Sequence, residues 1–340
     1  MKKTSTLLLF LAIFTQFHCK NEVKTPPAIE PVFDYSQVQS GGVRMIPIET
    51  PAGKFNVWTK KFGDNPRVKI LLLHGGPAMG CEYMECFESF LPPMGWEMYE
   101  YDQLGCFRSD IPEGKDELWQ IDRFVEEVEQ VRKALGMTKD NFYIIGNSWG
   151  GMLGMQYALK YQDNLKGLVV SNMMGSFPAY GEYNGKLRSQ MRPLLVDSLR
   201  AYEDKGDYSN PDYLNLVVEE YYRKHICRIN PFPNGLQRSF EHVNGYVYAF
   251  MQGPSEFLPG GNLAKWDIMD QLKTIRTPTL MIGAKYDTMD PAAMEAMSKL
   301  VQKGRYLYCP EGSHLSMWDD QRHYYPGIIE FINDVDAGRM

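Results

Sequence analysis

The chain has 340 residues, of which 44% are apolar and 13% aromatic, enough for a large buried core and too many for an intrinsically disordered protein. The net charge of −6 comes from interspersed acidic and basic residues without a basic block. This pattern argues against a nucleic-acid-binding protein and favours a small-molecule partner.

The first 19 residues have the organisation of a secretory signal peptide. Lys2 and Lys3 precede an apolar stretch over residues 7 to 14, and a more polar region ends at Cys19. The apolar stretch is about half of the roughly 20 residues that a membrane-spanning helix needs. The sequence therefore predicts export to the bacterial cell envelope.

Cys19 is a candidate for lipidation, because bacterial lipoprotein signals end at a cysteine that is lipidated and becomes the new N-terminus. The preceding residues, Gln16, Phe17 and His18, depart from the usual pattern of an aliphatic residue followed by small ones. Cleavage nearby without lipidation is therefore the alternative. A lipid anchor at Cys19 is the only membrane contact that the sequence predicts.

Residues 20–40 contain three prolines and little apolar periodicity, which predicts a flexible tether. The five cysteines after Cys19 form no Cys-x-x-Cys pair and have no metal-ligand spacing with histidine. The sequence thus predicts neither a zinc site nor a disulfide framework, and no cofactor. One bridge, such as Cys81 to Cys86, is compatible with an oxidising envelope, although buried free thiols are favoured.

Short apolar runs that alternate with amphipathic stretches predict an α/β fold, a mostly parallel central sheet covered by helices on both faces. The predicted strands cover residues 43–49, 54–60, 68–73, 97–101, 142–145, 167–170, 279–282 and 305–309. The predicted helices cover residues 121–135, 151–161, 292–301 and 325–335.

The alternation is interrupted between residues 172 and 266, where the chain is rich in tyrosine, methionine, proline and charge, with helical segments. We interpret this region as a mainly helical cap inserted into one sheet. The predicted core therefore has two parts, residues 41–171 and 267–340.

The motif Gly146-Asn147-Ser148-Trp149-Gly150 lies between a predicted strand and a predicted helix. This is the context of the nucleophile elbow in the α/β-hydrolase fold, where a sharp turn exposes the serine and the flanking glycines avoid collisions. A serine hydroxyl needs a base to take its proton, and the base needs an acid to orient it. Ser148 is the predicted nucleophile.

The acid and the base should follow the serine in that order along the chain. Asp287 lies just after a predicted strand and is the preferred acid, whereas Asp290 precedes Pro291 and a helix and suits an N-cap. His314 follows the strand at residues 305–309 on a glycine-containing loop and is the predicted base. The other downstream histidines suit satisfied or solvated side chains.

Two backbone amides are predicted to form the oxyanion hole. The segment His74-Gly75-Gly76-Pro77 follows a predicted strand at the place where this fold supplies one donor, which we assign to Gly76. The second donor is the amide of Trp149, because the residue after the nucleophile begins a helix with free N–H groups.

Several segments together resemble the proline iminopeptidase family, in particular its tricorn-associated aminopeptidase branch. These are the His-Gly-Gly-Pro segment, residues 101–109, the serine motif, residues 285–287 and residues 313–318, with residues 253–257 and 265–268 in the cap. The resemblance is nearly continuous from residue 42 to residue 335. It implies removal of an N-terminal residue, often proline, from short peptides.

Members of this family bind the free α-amino group with acidic side chains, and Glu256 matches one such position. Relatives carry a second acid directly after the catalytic aspartate, where this chain has Thr288, and Asp290 is a candidate substitute. Cap aromatics, namely Tyr246, Tyr248, Phe250 and Phe257, either line a proline-sized pocket or pack the cap against the core.

The sequence therefore predicts an envelope serine aminopeptidase that acts on small peptides through an acyl-enzyme. An amino-acid amidase or an esterase of the same fold is the enzymatic alternative. A binding lipoprotein that retains the fold without catalysis is the alternative from another class.

Overall fold

A computed structural model of the protein describes residues 42–256 and 258–340. The predicted signal peptide over residues 1–19 with Cys19, the tether over residues 20–40, and Phe257 therefore lie outside the described residues. Within the described ranges, no helix combines the length and the apolarity that crossing a membrane requires.

Eight strands form one sheet. They are β1 (Val43–Thr50), β2 (Gly53–Phe62), β3 (Lys69–Leu73), β4 (Glu97–Asp102), β5 (Phe142–Asn147), β6 (Gly167–Ser171), β7 (Thr279–Ala284) and β8 (Gly304–Cys309). The order across the sheet is β1-β2-β4-β3-β5-β6-β7-β8. Only β2 runs antiparallel to its neighbours, β1 and β4, and all other pairs are parallel. The predicted mostly parallel sheet is confirmed.

The central strands are apolar because helices cover both faces of the sheet. All residues of β4, β5, β6 and β7 are buried, whereas the edge strands β1 and β8 are partly exposed. One core contains Leu71, Ile144 and Val170, and the other contains Ile70, Ile145 and Val169. Successive residues of one strand point to opposite faces, which explains this division.

Eleven α-helices are found in the described residues. They are α1 (Ile121–Ala134), α2 (Trp149–Tyr161), α3 (Phe177–Ser189), α4 (Pro193–Glu203), α5 (Pro211–Val217), α6 (Arg223–His225), α7 (Asn234–His242), α8 (Gly245–Met251), α9 (Pro291–Leu300), α10 (Ser316–Asp319) and α11 (Gln321–Asp336). A π-helical turn over Val218–Tyr222 joins α5 to α6. Shorter 3₁₀ segments cover Glu82–Ser89, Pro92–Met94, Asp116–Leu118, Gln162–Asn164, Gly261–Leu263 and Met269–Thr274.

Helices α1, α2 and α9 pack on one face of the sheet and α11 packs on the other. Helix α11 begins four residues before the predicted start, because its first turn is polar and carries no apolar periodicity. Helices α3 to α8 all lie between β6 and β7, in the segment predicted as a cap.

The two ends of the inserted segment meet beside the sheet. The amide of Phe177 donates to the carbonyl of Trp266 (2.8 Å), and Ser176 Oγ donates to Asp267 Oδ2 (2.7 Å). The segment also has a small core of its own, formed by Leu187, Leu195, Leu199, Tyr213, Val217 and Tyr221. The insertion is therefore fixed at its base and packed internally.

Candidate active site

Ser148 lies at the turn between β5 and α2 in a conformation that side chains rarely adopt, with φ 55° and ψ −125°. The flanking glycines are required by contact. A Cβ atom on Gly146 would collide with the carbonyl oxygen of Gly150, and one on Gly150 would collide with the carbonyl oxygen of Leu73. The turn therefore holds the serine side chain at the carboxyl edge of the sheet.

The predicted acid and base are brought together by the loops after β7 and β8. Asp287 Oδ1 lies 2.7 Å from His314 Nδ1, and both side chains are buried. Because Nδ1 faces the carboxylate, Nε2 is the ring nitrogen that is available to Ser148. His314 and Ser148 line the same cavity.

Asp290 does not fulfil the substrate-binding role predicted for it. Its carboxylate accepts a hydrogen bond from the amide of Ala292 (3.0 Å) and caps α9, and it is not among the residues that line the cavity around Ser148. Thr288 does not replace it there, since Thr288 Oγ1 lies 3.2 Å from His314 Nδ1 and 3.3 Å from Asp287 Oδ1. The predicted second acid is thus missing from this cavity.

The two amides predicted to form the oxyanion hole are available as donors. In the described part of the chain, neither the amide of Gly76 nor that of Trp149 has a hydrogen-bond acceptor. Gly76 lines the cavity together with Ser148, and Trp149 is the first residue of α2, where amides have no partner within the helix. Gly76 therefore lies at the same cavity as the proposed nucleophile, and Trp149 follows the nucleophile directly in the chain.

Tyr83 connects the glycine loop to the nucleophile turn, which the sequence did not indicate. Its hydroxyl accepts from the amide of Gly75 (2.7 Å) and donates to Asn147 Oδ1 (2.9 Å). Asn147 Nδ2 in turn lies 3.3 Å from the carbonyl oxygen of His314. One buried phenol and one amide therefore join the three loops that carry the site.

The end of β4 and the residue after it also contact these loops. Gln103 Oε1 accepts from Trp149 Nε1 (2.8 Å), and Gln103 Nε2 donates to the carbonyl of His74 (3.2 Å). Asp102 accepts from Arg108 Nε (2.7 Å) and from the amide of Cys81 (2.8 Å). Residues 102 and 103 therefore hold the glycine loop and the nucleophile turn in place, although they do not contact the proposed triad.

A cavity of about 240 Å³ lies beside Ser148, somewhat smaller than the roughly 300–1,000 Å³ typical of ligand sites. The core contributes Ser148, His314 and the glycine loop, and the inserted segment contributes the facing wall. The apolar residues of its lining are Met79, Leu214, Tyr222, Ile226, Phe240, Val243 and Leu315. A small, largely apolar substrate group fits this enclosure.

Glu256 is the carboxylate in the lining of this cavity. Its Oε2 accepts from Tyr180 Oη (2.6 Å) and its Oε1 from Tyr248 Oη (2.8 Å), with Gln252 Nε2 at 3.4 Å. Among the described residues, no lysine, arginine or histidine forms an ion pair with it. The carboxylate is therefore held by neutral donors and has no cation of its own.

The aromatic residues of the cap that the sequence singled out lie in different environments. Tyr248 lines the cavity, as predicted. Tyr246 is 58% exposed and its hydroxyl donates to Asp116 (2.6 Å), and Phe250 packs against the core of the sheet. Of the two alternatives, Tyr248 therefore lies at the pocket and Phe250 packs against the core, because residues two positions apart point to different faces of a helix. Phe257 lies outside the described residues.

Other titratable side chains are engaged elsewhere. His225 contacts the carbonyl of Tyr286, His242 contacts Glu82, and His323 contacts Asp320. The cysteines at 81, 86, 106, 227 and 309 are free and buried. Within residues 42–256 and 258–340, no group of three or more histidine, cysteine or acidic side chains could hold a metal ion.

Known proteins are similar to this chain over most of its length. The family model of the α/β-hydrolase fold matches residues 69–321. A proline iminopeptidase of Flavobacterium johnsoniae is 61% identical over 297 residues, which cover 87% of this chain and 100% of the relative. A proline iminopeptidase of Elizabethkingia meningoseptica is 62% identical over 295 residues, which cover 86% of this chain and 99% of the relative.

A solved structure of a proline iminopeptidase also has a fold similar to that of this chain. The crystal structure of a proline iminopeptidase from Mycobacterium smegmatis superposes with a TM-score of 0.79 at 27% identity, covering 88% of this chain and 100% of that chain. The predicted α/β-hydrolase fold and the predicted family resemblance are confirmed. The assignment to the tricorn-associated branch stays a prediction.

Proposed function

This chain belongs to the proline iminopeptidase family of α/β hydrolases, and on that premise we propose that it is a serine aminopeptidase. It releases an N-terminal residue, above all proline, from short peptides. This proposal rests mainly on the carboxylate of Glu256, which faces the cavity of Ser148 and forms no ion pair with a cationic side chain of the described residues.

In the proposed reaction, Ser148 Oγ attacks the carbonyl carbon of the first residue while His314 Nε2 takes the hydroxyl proton. Asp287 orients the ring through Nδ1 and stabilises the imidazolium that forms. The amides of Gly76 and Trp149 donate to the negative oxygen of the tetrahedral intermediate. His314 then gives its proton to the leaving nitrogen as the carbon–nitrogen bond breaks.

Water completes the cycle. His314 takes a proton from a water molecule, which attacks the acyl-enzyme carbonyl, and the ester bond to Ser148 breaks. The serine oxygen recovers its proton from His314, and the released residue leaves with a free carboxylate. Each proton taken by the histidine is thus returned within the same half-reaction.

Glu256 gives the proposed enzyme its preference for a free N-terminus. A protonated amine placed beside this carboxylate gains charge-assisted hydrogen bonds in a site with little water. An internal peptide bond offers no cation, so binding it would leave the carboxylate unpaired in an apolar cavity. This difference favours cleavage after the first residue only.

The small apolar lining supports proline as the preferred first residue. Tyr222, Phe240 and Leu214 belong to the inserted segment and face the cavity. A five-membered ring is apolar and compact, and it enters an enclosed site with little loss of side-chain entropy. We therefore propose that residues 172–266 act as the cap that selects the residue to be removed.

A panel of amides and esters tests the proposal on the purified protein. We expect turnover of proline and alanine naphthylamides, with proline faster, and no turnover of N-acetylproline naphthylamide, in which the cation is absent. Hydrolysis of simple esters without turnover of either free-amine amide would contradict an aminopeptidase and favour an esterase.

The pH dependence should reflect the protonation of His314. Burial lowers the pKa of this imidazole, but the charge and hydrogen bond of Asp287, with a smaller effect of Glu256, raise it, and the net effect is a raised pKa. Only the neutral ring can accept the serine proton. We expect kcat/KM for proline naphthylamide to fall as the pH decreases, with its acidic midpoint above 6.5; a midpoint at or below 6.5 would contradict this assignment.

For the first 40 residues we propose export to the cell envelope, with Cys19 as a lipid-bearing N-terminus. In a bacterial host the full chain should then partition with membranes and incorporate labelled fatty acid. Cys19→Ser should abolish the label and move the protein out of the membrane fraction. Unchanged membrane association of the variant would exclude Cys19 as the anchor.

A further inference from the structure

Asn172 follows the last residue of β6 and is fully buried behind the proposed triad. Its φ of 57° lies in the left-handed region, which asparagine and glycine tolerate better than most residues. The chain turns sharply here, so that the side chain reaches the loops after β7 and β8. It does not line the substrate cavity.

The side-chain amide of Asn172 contacts the proposed catalytic acid. Its Nδ2 lies 2.7 Å from Asp287 Oδ2, and its Oδ1 accepts from Ser171 Oγ (2.7 Å). The opposite orientation of the amide would place two oxygen acceptors against each other at that distance, which is repulsive. The N–H group must therefore face the carboxylate. Ser171 Oγ is itself fixed by the hydroxyl of Tyr324 (3.0 Å).

This contact completes the hydrogen bonding of the Asp287 carboxylate, which is 1% exposed. Oδ1 accepts from His314 Nδ1 at 2.7 Å and from Thr288 Oγ1 at 3.3 Å. Among the described residues, Asn172 is the only donor to Oδ2. Removal of this donor would leave one oxygen of a buried carboxylate without a hydrogen bond, which is unfavourable away from water.

We propose that Asn172 is a positioning residue for the Asp287–His314 pair. It holds the second carboxylate oxygen, so that the first faces His314 while the imidazolium forms. The inference rests on the triad of the proposed function and extends it by a residue on a separate strand.

Asn172 could also act only by holding the loop that carries His314, through other contacts of its side-chain amide. Asn172 Nδ2 also lies 3.2 Å from the carbonyl of Ser313 and 3.4 Å from Ser316 Oγ, in the loop that carries His314. If Asn172 only held this loop, loosening the loop elsewhere would have the same effect. Ser316→Ala removes one of these contacts without touching Asp287 and is therefore the matched control.

The test uses Asn172→Gly, because glycine keeps the left-handed backbone and removes the amide. We expect kcat for proline naphthylamide to fall about tenfold to a hundredfold, the size of effect seen when outer partners of a catalytic group are removed. KM should stay within about twofold, since the cavity is unchanged. The far-downfield proton resonance of His314 Nδ1–H should shift or disappear, while Ser316→Ala keeps both the resonance and kcat.

Asn172→Asp is the second variant if the glycine variant fails to fold. It keeps the shape and the contact with Ser171, but its carboxyl group donates to Asp287 only while it is protonated. We expect a lower kcat than that of the wild type, with a larger deficit at pH 8 than at pH 6. A kcat within twofold of the wild type in a folded variant, or an equal loss in Ser316→Ala, would overturn the proposal.

Reaction of the wild-type protein with a fluorophosphonate separates this inference from the proposed function. If the wild-type Ser148 does not react, the proposed triad itself fails. If the wild type reacts and Asn172→Gly reacts at the same rate, the triad stands and the role of Asn172 is refuted. We expect the labelling rate of Asn172→Gly to fall in parallel with its kcat.

Discussion

Replacement of Ser148 by alanine is expected to lower kcat for proline naphthylamide by about a millionfold, the size of loss that follows removal of the nucleophile in a serine hydrolase. The variant keeps Glu256, the oxyanion donors and the cavity, so it should still bind the substrate. Alanine also accepts the same strained backbone no worse than serine, because both carry a Cβ atom. The measurement is single-turnover release of naphthylamine, with the melting temperature as the check of folding.

Ser198→Ala is the matched control for this variant, since Ser198 is exposed on α4 and its hydroxyl contacts only the carbonyl of Leu194 (2.8 Å) in the described part of the chain. It should retain full activity and full labelling by a fluorophosphonate. Turnover by Ser148→Ala above about one thousandth of the wild-type rate would indicate another nucleophile, because binding and the oxyanion hole alone leave far less.

Replacement of Glu256 by glutamine should lower kcat/KM for proline naphthylamide by about thirtyfold or more, which corresponds to about 2 kcal/mol or more. The substituted side chain keeps its size but turns a donor, instead of a negative charge, towards the substrate amine. Hydrolysis of p-nitrophenyl acetate, which has no amine, should change by less than about threefold. The acidic midpoint of kcat/KM should also move to lower pH, because Glu256 contributes to the raised pKa of His314.

Glu220→Gln provides the control for the loss of a carboxylate from the inserted segment. Glu220 pairs with Arg192 (3.1 Å) and Lys224 (2.8 Å) and does not line the cavity, so its replacement should leave both substrates unaffected. An equal loss of amide and ester hydrolysis in Glu256→Gln would mean that the residue supports the fold and not the amine. No loss on the amide would remove the main support for an aminopeptidase.

The sheet could be predicted from the sequence because its strands are short apolar runs between turn signals. The bounds of β3 to β7 agree with the prediction to within about two residues, and the last helix differs at its polar first turn. The individual helices from α3 to α8 could not be placed in advance. The apolar residues of α3 to α5 form a separate small core with Tyr221, and the helical periodicity is broken by the π-helical turn over Val218–Tyr222.

The proposed triad was predictable because each member lies directly after a strand. Ser148 needs the glycines beside it, and the choice of Asp287 over Asp290 followed from the helix start at Pro291. In the structure Asp287 contacts His314, and Asp290 caps α9. Asp290 is not placed to bind the substrate as proposed from the sequence, because its carboxylate accepts from the amide of Ala292 and does not line the cavity.

Features that depend on neighbours along the chain could be predicted from the sequence: the nucleophile turn, the order of serine, acid and base, and the strands of the sheet. The distant side chains that complete these features became known from the folded protein. Tyr83 joins two loops, Asn172 reaches Asp287 from another strand, and Tyr180 and Tyr248 hold Glu256 from two helices. Such contacts leave no periodicity or spacing in the sequence, because they join residues that are distant along the chain and meet only when the sheet, its loops and the inserted helices pack together.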